Sequence, residues 1–300
     1  RRRSGARLMT SPRAQLTARN IRAKKRLGQN FLADPNISRA IVDRAAITPD
    51  DAVLEIGPGL GAITIPAARA AGRVIAVDKD GQIIGLLKTE LLAAGIDNVI
   101  VREADILEVD LQSVCREAGR PLVVMGNLPY NISSQVIVQL IHARRHIDRA
   151  VLMLQKEMAQ RICSGPGSKD YGRLSVMLGY CAQARVFMQV RASQFFPAPK
   201  VDSTVVHIRF VHPPSDPAED ESLLFHVVRA AFGKRRKTLK NSLVQSDLGI
   251  DAPTCEDLLS GARIDPMRRA ESLSVTEFVR LSDAIGSHRR MHPNGGAPAS

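Results

Sequence analysis

The chain has 300 residues, 44% hydrophobic and 24% charged, which is enough for a full core and about two domains. Its 42 Lys and Arg against 30 Asp and Glu leave a net charge of +12, a surplus that suits a polyanionic partner such as nucleic acid or an anionic membrane surface. No apolar run approaches the ~18–20 residues of a bilayer span, and no apolar stretch follows the basic start, so a cytoplasmic chain is expected. Four scattered cysteines (Cys115, Cys163, Cys181, Cys255) argue against a disulfide framework or a cysteine zinc site. His142 is followed by Ala143, not by the glutamate of a zinc-protease helix, and no metal is expected.

Ten basic residues precede Asp34, the first acid in the chain. Residues 1–20 lack apolar periodicity and are expected to be a disordered basic arm. A helix begins at "DPNISRAIVDRAAI", where Asp34 can cap it and Pro35 suits its first turn. Short β-rich runs then alternate with helical stretches. The strands fall near 52–57, 73–78, 98–103, 121–126 and 149–154, and the helices near 60–71, 80–94 and 132–142. That alternation predicts an α/β fold with a mostly parallel, doubly wound sheet. "QARVFMQV" (183–190) and "STVVHIRF" (203–210) have no clear helix between them and read as an antiparallel pair at the sheet edge. The Pro-rich, acidic "VHPPSDPAEDES" breaks the pattern, placing one domain at 21–211 and a small helical one at 212–286. Residues 287–300 read as a disordered tail.

The first strand runs into "LEIGPGLGAIT", with Gly57, Gly59 and Gly61 where the chain must turn sharply and approach a ligand closely. Asp78 ends the second strand, where a carboxylate can accept from a ribose diol. Asp105 follows the third and can accept from an adenine amino group. NAD and S-adenosylmethionine both carry adenosine, so these features alone leave the choice between them open.

The fourth strand ends in "MGNLPY". A flat base carries its exocyclic amine as a poor nucleophile, because the lone pair is delocalised into the ring. Acceptors for both N–H groups pull the nitrogen toward a tetrahedral shape and localise that pair. The side-chain oxygen of Asn127 is one acceptor and the Leu128 carbonyl a second, with Pro129 fixing the backbone and donating nothing. Tyr130 offers a stacking face. "SQFFPAPKVDS" adds Phe195 and Phe196 on a proline-stiffened loop, with Phe195 expected to close over the base.

With these residues in place the chain resembles the ribosomal RNA adenine N6,N6-dimethyltransferases of the KsgA (RsmA) type. The likeness runs from about Lys25 to Ile285. "KKRLGQNFL", "LEIGPGLGAIT", "NLPYNISS", "MLQKEMAQRI", "YGRLSVM", "FPAPKVDS", "FGKRRKTLKNSL" and "IDPMRRAESLS" carry it. It implies a Rossmann-like class I methyltransferase sheet and S-adenosyl-L-methionine as cofactor. It also implies cofactor contacts at Gln29, Asn30, Leu32, Gly57, Asp78, Asp105 and Asn127. The family usually has glutamate where this chain has the shorter Asp78.

The implied substrate is two adjacent adenosines near the 3′ end of small-subunit rRNA in an immature 30S subunit, each methylated twice by a monomeric enzyme. Lys24, Lys25 and Arg26, with Lys234, Arg235, Arg236, Lys237 and Lys240, then read as RNA-backbone contacts. An NAD-dependent oxidoreductase built on the same loop is a further reading, but it lacks an evident hydride-partner acid or base, and two RNA-directed readings compete. One is the large-subunit (23S) rRNA adenine N6-methyltransferase of the macrolide-resistance type, against which "NLPYNIS", "YGRLSVM" and "FGKRRKTLKNSL" weigh. The other is a non-catalytic RNA-binding assembly factor, against which the intact glycine loop and Asn127–Tyr130 weigh.

Overall fold

The computed structural model describes residues 11–234 and 236–292. In chain order the elements are α1 (Pro12–Ala18), β1 (Phe31–Leu32), α2 (Pro35–Arg44), β2 (Ala52–Ile56), α3 (Thr64–Ala70), β3 (Arg73–Asp78) and α4 (Gly81–Ala93). Then come β4 (Val99–Glu103), α5 (Leu111–Ala118), β5 (Leu122–Asn127), α6 (Ser133–His142), β6 (Ile147–Gln155), α7 (Lys156–Ile162) and α8 (Arg173–Cys181). The last are β7 (Ala182–Val190), β8 (Phe195–Phe196), β9 (Ser203–Phe210), α9 (Glu221–Ala231), α10 (Leu239–Val244), α11 (Ala252–Gly261) and α12 (Val275–Met291).

Seven strands form one sheet in the order β4-β3-β2-β5-β6-β9-β7. The pairs from β4 to β6 are parallel, and β9 runs antiparallel to β6. The order reverses between β2 and β5, so the carboxyl ends of those strands frame the crevice where open α/β sheets bind ligands. The central strands β2 and β5 are buried on both faces and, apart from Glu55 and the terminal Asn127, apolar. They also run close together: a Cβ on Gly126 would lie 2.4 Å from the Ile56 carbonyl oxygen.

The chain divides into two compact units. One comprises residues up to Ala159 together with Arg185–Phe210; the other comprises Gln160–Ala184 and everything from Val211 onward. Sequence pattern assigns 160–184 to the sheet domain, whereas the structure groups it with the helices. The reason is α8, whose Leu174, Val176, Met177, Leu178, Tyr180 and Cys181 are all buried and need apolar partners on more than one side. Tyr180 meets Phe225 edge-on and Tyr171 meets Phe232 in the same way. In this unit Asp220, Thr238, Asp251 and Ser274 each cap a helix by accepting from a backbone N–H of its first turn.

Both expected disordered ends are partly ordered. Ser11 caps α1, Pro12 occupies its first turn, and Leu16 is buried among Phe31, Leu60, Ile83 and Leu86. Two buried residues, Pro12 and Leu16, are enough to dock so short a helix, and they leave no periodicity to read. At the other end α12 continues to Met291 because its basic last turn suits the helix dipole. Arg289 donates to the Leu248 carbonyl at 2.8 Å and Arg290 to Glu219 at 2.7 Å. The expectations for residues 1–10 and 293–300 lie outside the described residues. No helix among the described residues is long and apolar enough to cross a membrane.

Candidate active site

A cavity of about 280 Å³ opens at the carboxyl ends of the parallel strands in the sheet unit. One wall is the turn after β2. Gly57 and Gly59 have φ of +66° and +55°, which glycine adopts without strain. A Cβ on Gly57 would meet nothing nearer than the Asn127 carbonyl oxygen at 3.6 Å, so this glycine leaves free space at the cavity wall. Gly61 behaves differently. A Cβ there would lie 3.0 Å from Leu87 and 3.4 Å from Ile65, and the residue does not line the cavity. It serves helix packing, and its place in the motif is structural.

Asp78 and Asp105 both line the cavity. Burial raises the Asp78 carboxyl above the ordinary range, although the Asp80 N–H donates to it at 2.9 Å. Asp105 is already engaged. Lys79 Nζ donates to it at 2.5 Å and the Leu107 N–H at 3.1 Å. The hydrogen bond from Lys79 is the main reason that its carboxyl is held low. Lys79 is well exposed, so its ammonium can yield this acceptor to a ligand amine.

The opposite wall is a strap, residues 24–32, that sequence pattern alone does not draw as an element. Gln29, Asn30 and Leu32 line the cavity, together with Arg26, Leu27 and Gly28. The strap is clipped by a buried carboxylate: Asp80 accepts from Lys24 Nζ and from Gln29 Nε2, both at 2.7 Å. Burial works to raise Asp80, but these two donors outweigh it and its pKa lies below the ordinary value. Strands β1 and β8 close the strap with an antiparallel pair, Phe31 opposite Phe196 and Leu32 opposite Phe195.

Asn127 ends β5 and faces the cavity. Its Nδ2 donates to the Asn30 carbonyl at 2.9 Å, which ties the strap to the strand end and commits the nitrogen side of the amide to the strap. The Leu128 N–H continues the sheet by donating to the Met153 carbonyl at 3.1 Å. In the turn that follows, the neighbouring carbonyls are occupied: Pro129 O accepts from the Ile132 N–H and Tyr130 O from Ser133 Oγ. Pro129 lines the cavity, and Tyr130 is half-buried just beyond it.

Phe195 is not the exposed ring expected. It is 5% exposed and belongs to the core around Leu32, Val190 and Val205. Alternation along β8 puts Phe195 inward and leaves Phe196 half-buried against Phe31 and Leu60. Phe195 therefore supports Leu32, a cavity wall, from behind.

The basic residues separate by role. Lys25 and Arg26 are exposed, whereas Lys24 is committed to Asp80. In the helical unit Lys234, Arg236 and Lys237 are exposed, Lys234 donates to Gln245, and Lys240 pairs with Glu256. Arg235 lies outside the described residues.

Two residues escape the motif reading: Asp80, which clips the strap, and the cavity-lining Glu55 in "AVLEI". An acid inside an apolar strand is the signal that points to Glu55. It is 1% exposed, and its Oε2 has no hydrogen-bond partner. The buried Thr64 Oγ1, at the start of α3, makes no well-formed hydrogen bond but lies close enough to Glu55 to offset part of its burial. These orphaned atoms, the space beside Gly57, and the acceptors at Asp78 and Asp105 fit a cationic nucleoside such as S-adenosylmethionine.

Residues 20–285 match the model of the family described as ribosomal RNA adenine dimethylase. The chain is 50% identical over 279 residues to ribosomal RNA small subunit methyltransferase A of Desulforapulum autotrophicum, covering 93% of this chain and 98% of that protein. It is 42% identical over 268 residues to the Geobacillus kaustophilus protein of the same name, covering 87% and 90%. Among solved structures, a dimethyladenosine transferase from Plasmodium falciparum matches with a TM-score of 0.72 at 28% identity, covering 84% of this chain and 95% of that one. The 23S rRNA methyltransferase ErmE matches with a TM-score of 0.66 at 25% identity, covering 86% and 100%.

Proposed function

The chain belongs to the ribosomal RNA adenine dimethylase family, and from that premise we propose that it dimethylates the N6 amines of two adjacent adenosines near the 3′ end of 16S rRNA. S-adenosylmethionine supplies a methyl group on a sulfonium, open to in-line displacement. The protein's part is to hold the amine and prepare it. Asn127 Oδ1 and the Leu128 carbonyl accept the two N6 hydrogens, and the lone pair localises toward the methyl. Because the acceptors bind the amine more tightly as positive charge develops on it, they act chiefly in the transition state. No strong base is needed before attack, and the proton leaves once the nitrogen is cationic.

Tyr130 supplies the stacking face for the extruded base, and Pro129 holds the backbone that aims the Leu128 carbonyl. Asp78 takes the cofactor ribose, and Asp105 takes the adenine amine in place of Lys79. Lys25, Arg26, Lys234, Arg236 and Lys237 contact phosphates, which position the RNA without reading its sequence. The monomer acts on an immature small subunit in the cytoplasm.

The observation that supports this reading is Asn127, which lines the cavity with its amide nitrogen tied to the Asn30 carbonyl. The likeness to ErmE raises the large-subunit RNA as a second acceptor, whereas the 50% identity to a small-subunit enzyme favours the first. Labelled methyl transfer should be measured on small-subunit particles and on large-subunit RNA, with the product nucleoside identified. N6,N6-dimethyladenosine from the small-subunit particles is expected. Activity confined to large-subunit RNA would refute the assignment.

A further inference from the structure

Asp80 follows β3 and caps α4, accepting from the Gln82 N–H at 3.2 Å. A capping acid needs no burial to make that bond, yet the Asp80 side chain is only 2% exposed. What covers it is the strap. Lys24 Nζ reaches one carboxylate oxygen and Gln29 Nε2 the other, each at 2.7 Å, from 56 and 51 residues away. Gln29 Oε1 turns back to accept from the Lys24 N–H at 2.8 Å, so one amide ties the strap both to itself and to the acid. Farther along, Asn30 Nδ2 donates to the Gly28 carbonyl at 3.0 Å and stiffens the strap again. Gly28 seats it against the "NLPY" turn: at its φ of +65°, a Cβ would stand 3.2 Å from the Pro129 Cβ. The Asn30 carbonyl then accepts from Asn127 Nδ2 at 2.9 Å.

Asp80 does not line the cavity, and none of the strap bonds is needed to cap α4. We propose that Asp80 is a positioning residue for methyl transfer: through Lys24 and Gln29 it sets the strap, and the strap holds the Asn127 amide against the target amine, an inference that rests on the acceptor role proposed above for Asn127. The path is short. Gln29 and Asn30 are adjacent, so a shift of the Gln29 amide moves the carbonyl that holds Asn127, and the seat on Pro129 leaves little slack to absorb it. Misplacing a group at the reacting centre by about 1 Å costs on the order of a hundredfold in rate. The strap also explains why an acid stands at this position. Both oxygens of an aspartate accept, whereas an asparagine would turn its NH2 toward one of the two strap donors. Asparagine caps helices as well as aspartate does, so the cap alone does not require the acid.

Asp80→Asn in the full chain separates the two roles, because it keeps the side chain's shape and the cap but loses the charge and one strap acceptor. At saturating S-adenosylmethionine and small-subunit particles, kcat for methyl transfer should fall about ten- to hundredfold. Amide exchange read by mass spectrometry should quicken in residues 24–32 and stay unchanged in β2 and β5. The same change made in an Asn127→Ala protein should cost less than about a further threefold, because the group being positioned is already gone. Lys24→Met, at the more exposed partner, repeats the test should Asp80→Asn fail to fold. An unchanged kcat with a lowered melting temperature overturns the proposal and leaves Asp80 a structural cap. A full ten- to hundredfold loss in the Asn127→Ala background also overturns it, because Asp80 would then act without Asn127. Either result leaves the methyltransferase reading intact, whereas a wild type that transfers no methyl group to the particles overturns both.

Discussion

Glu55 in the sheet unit and Glu277 in the helical unit are both carboxyls largely withdrawn from water, and their surroundings treat them oppositely. Arg268 donates to both oxygens of Glu277, at 2.5 and 3.3 Å, and the Ser274 N–H donates to the second at 2.8 Å. Led by the hydrogen bond from Arg268, these contacts pull its pKa down to about 2. Glu55 keeps one oxygen bare, and its pKa rises to about 7. The helical unit meets Glu277 with caps and an internal ion pair, although the buried hydroxyls of Tyr171 and Ser282 there also lack partners. The cavity end of the sheet unit leaves a carboxylate oxygen bare. Unsatisfied buried groups are costly, and where they gather around a cavity they mark the place at which a ligand completes the structure.

If that contrast is right, changes at the cavity end cost function more than stability, and changes in the helical unit do the reverse. The largest effect is expected from Asn127→Ala. Methyl transfer to small-subunit particles should fall more than about a hundredfold, with the melting temperature lowered by no more than about 4 °C. A collapse of stability would put Asn127 with the structural groups and break the contrast. Gly57→Ala comes next. At its φ of +66° a side chain costs about 1–2 kcal/mol, and the new methyl would enter the cavity. Cofactor affinity, read by titration, should drop by about tenfold or more, beyond what the lost stability explains.

The smallest and most discriminating effects are on stability against pH. Glu277 has a depressed pKa in the folded state, so its contribution is present above its ordinary value of 4.5 and is lost as pH falls toward about 2. Glu277→Gln should therefore lower the melting temperature at neutral pH by a few degrees and by much less in strong acid. Glu55 has the opposite sign. Its folded pKa is raised, so stability without cofactor falls as pH climbs from 4.5 to about 7, and the full penalty stands above that. Glu55→Gln should raise the melting temperature of the cofactor-free protein at about pH 8 and leave it unchanged near pH 4.5. Parallel pH profiles for the two variants would erase the distinction.

The parallel strands are legible in the sequence because "AVLEIG", "RVIAVD" and "PLVVMG" are local runs, each ending where a glycine or an acid turns the chain. Gly57, Asp78, Asp105 and Asn127 are legible for the same reason: their places follow from the strand ends. The strap is not. Its two-residue strand exists only because Phe31 and Leu32 find Phe196 and Phe195, far along the chain. Its clip depends on Asp80, whose helix-capping role hides its bonds to Lys24 and Gln29. Which of Phe195 and Phe196 turns to the core is not legible either, because proline-rich context says that a loop is stiff without saying which of two adjacent rings faces inward. The grouping of 160–184 with the helices is equally hidden, since α8 is apolar enough to suit either unit until Phe225 is found against its Tyr180 and Phe232 against Tyr171 just before it.

The bond from Asn127 Nδ2 to the Asn30 carbonyl also fixes the polarity of that amide. Rotating the group by half a turn would set oxygen against oxygen and forfeit the strap contact, so the pocket shows an acceptor and withholds a donor. A guanine or a uracil turned into the same place would bring a carbonyl against that acceptor and be repelled. On the proposed role of Asn127, the choice between amino-bearing and keto-bearing bases would rest on a contact on the far side of the amide.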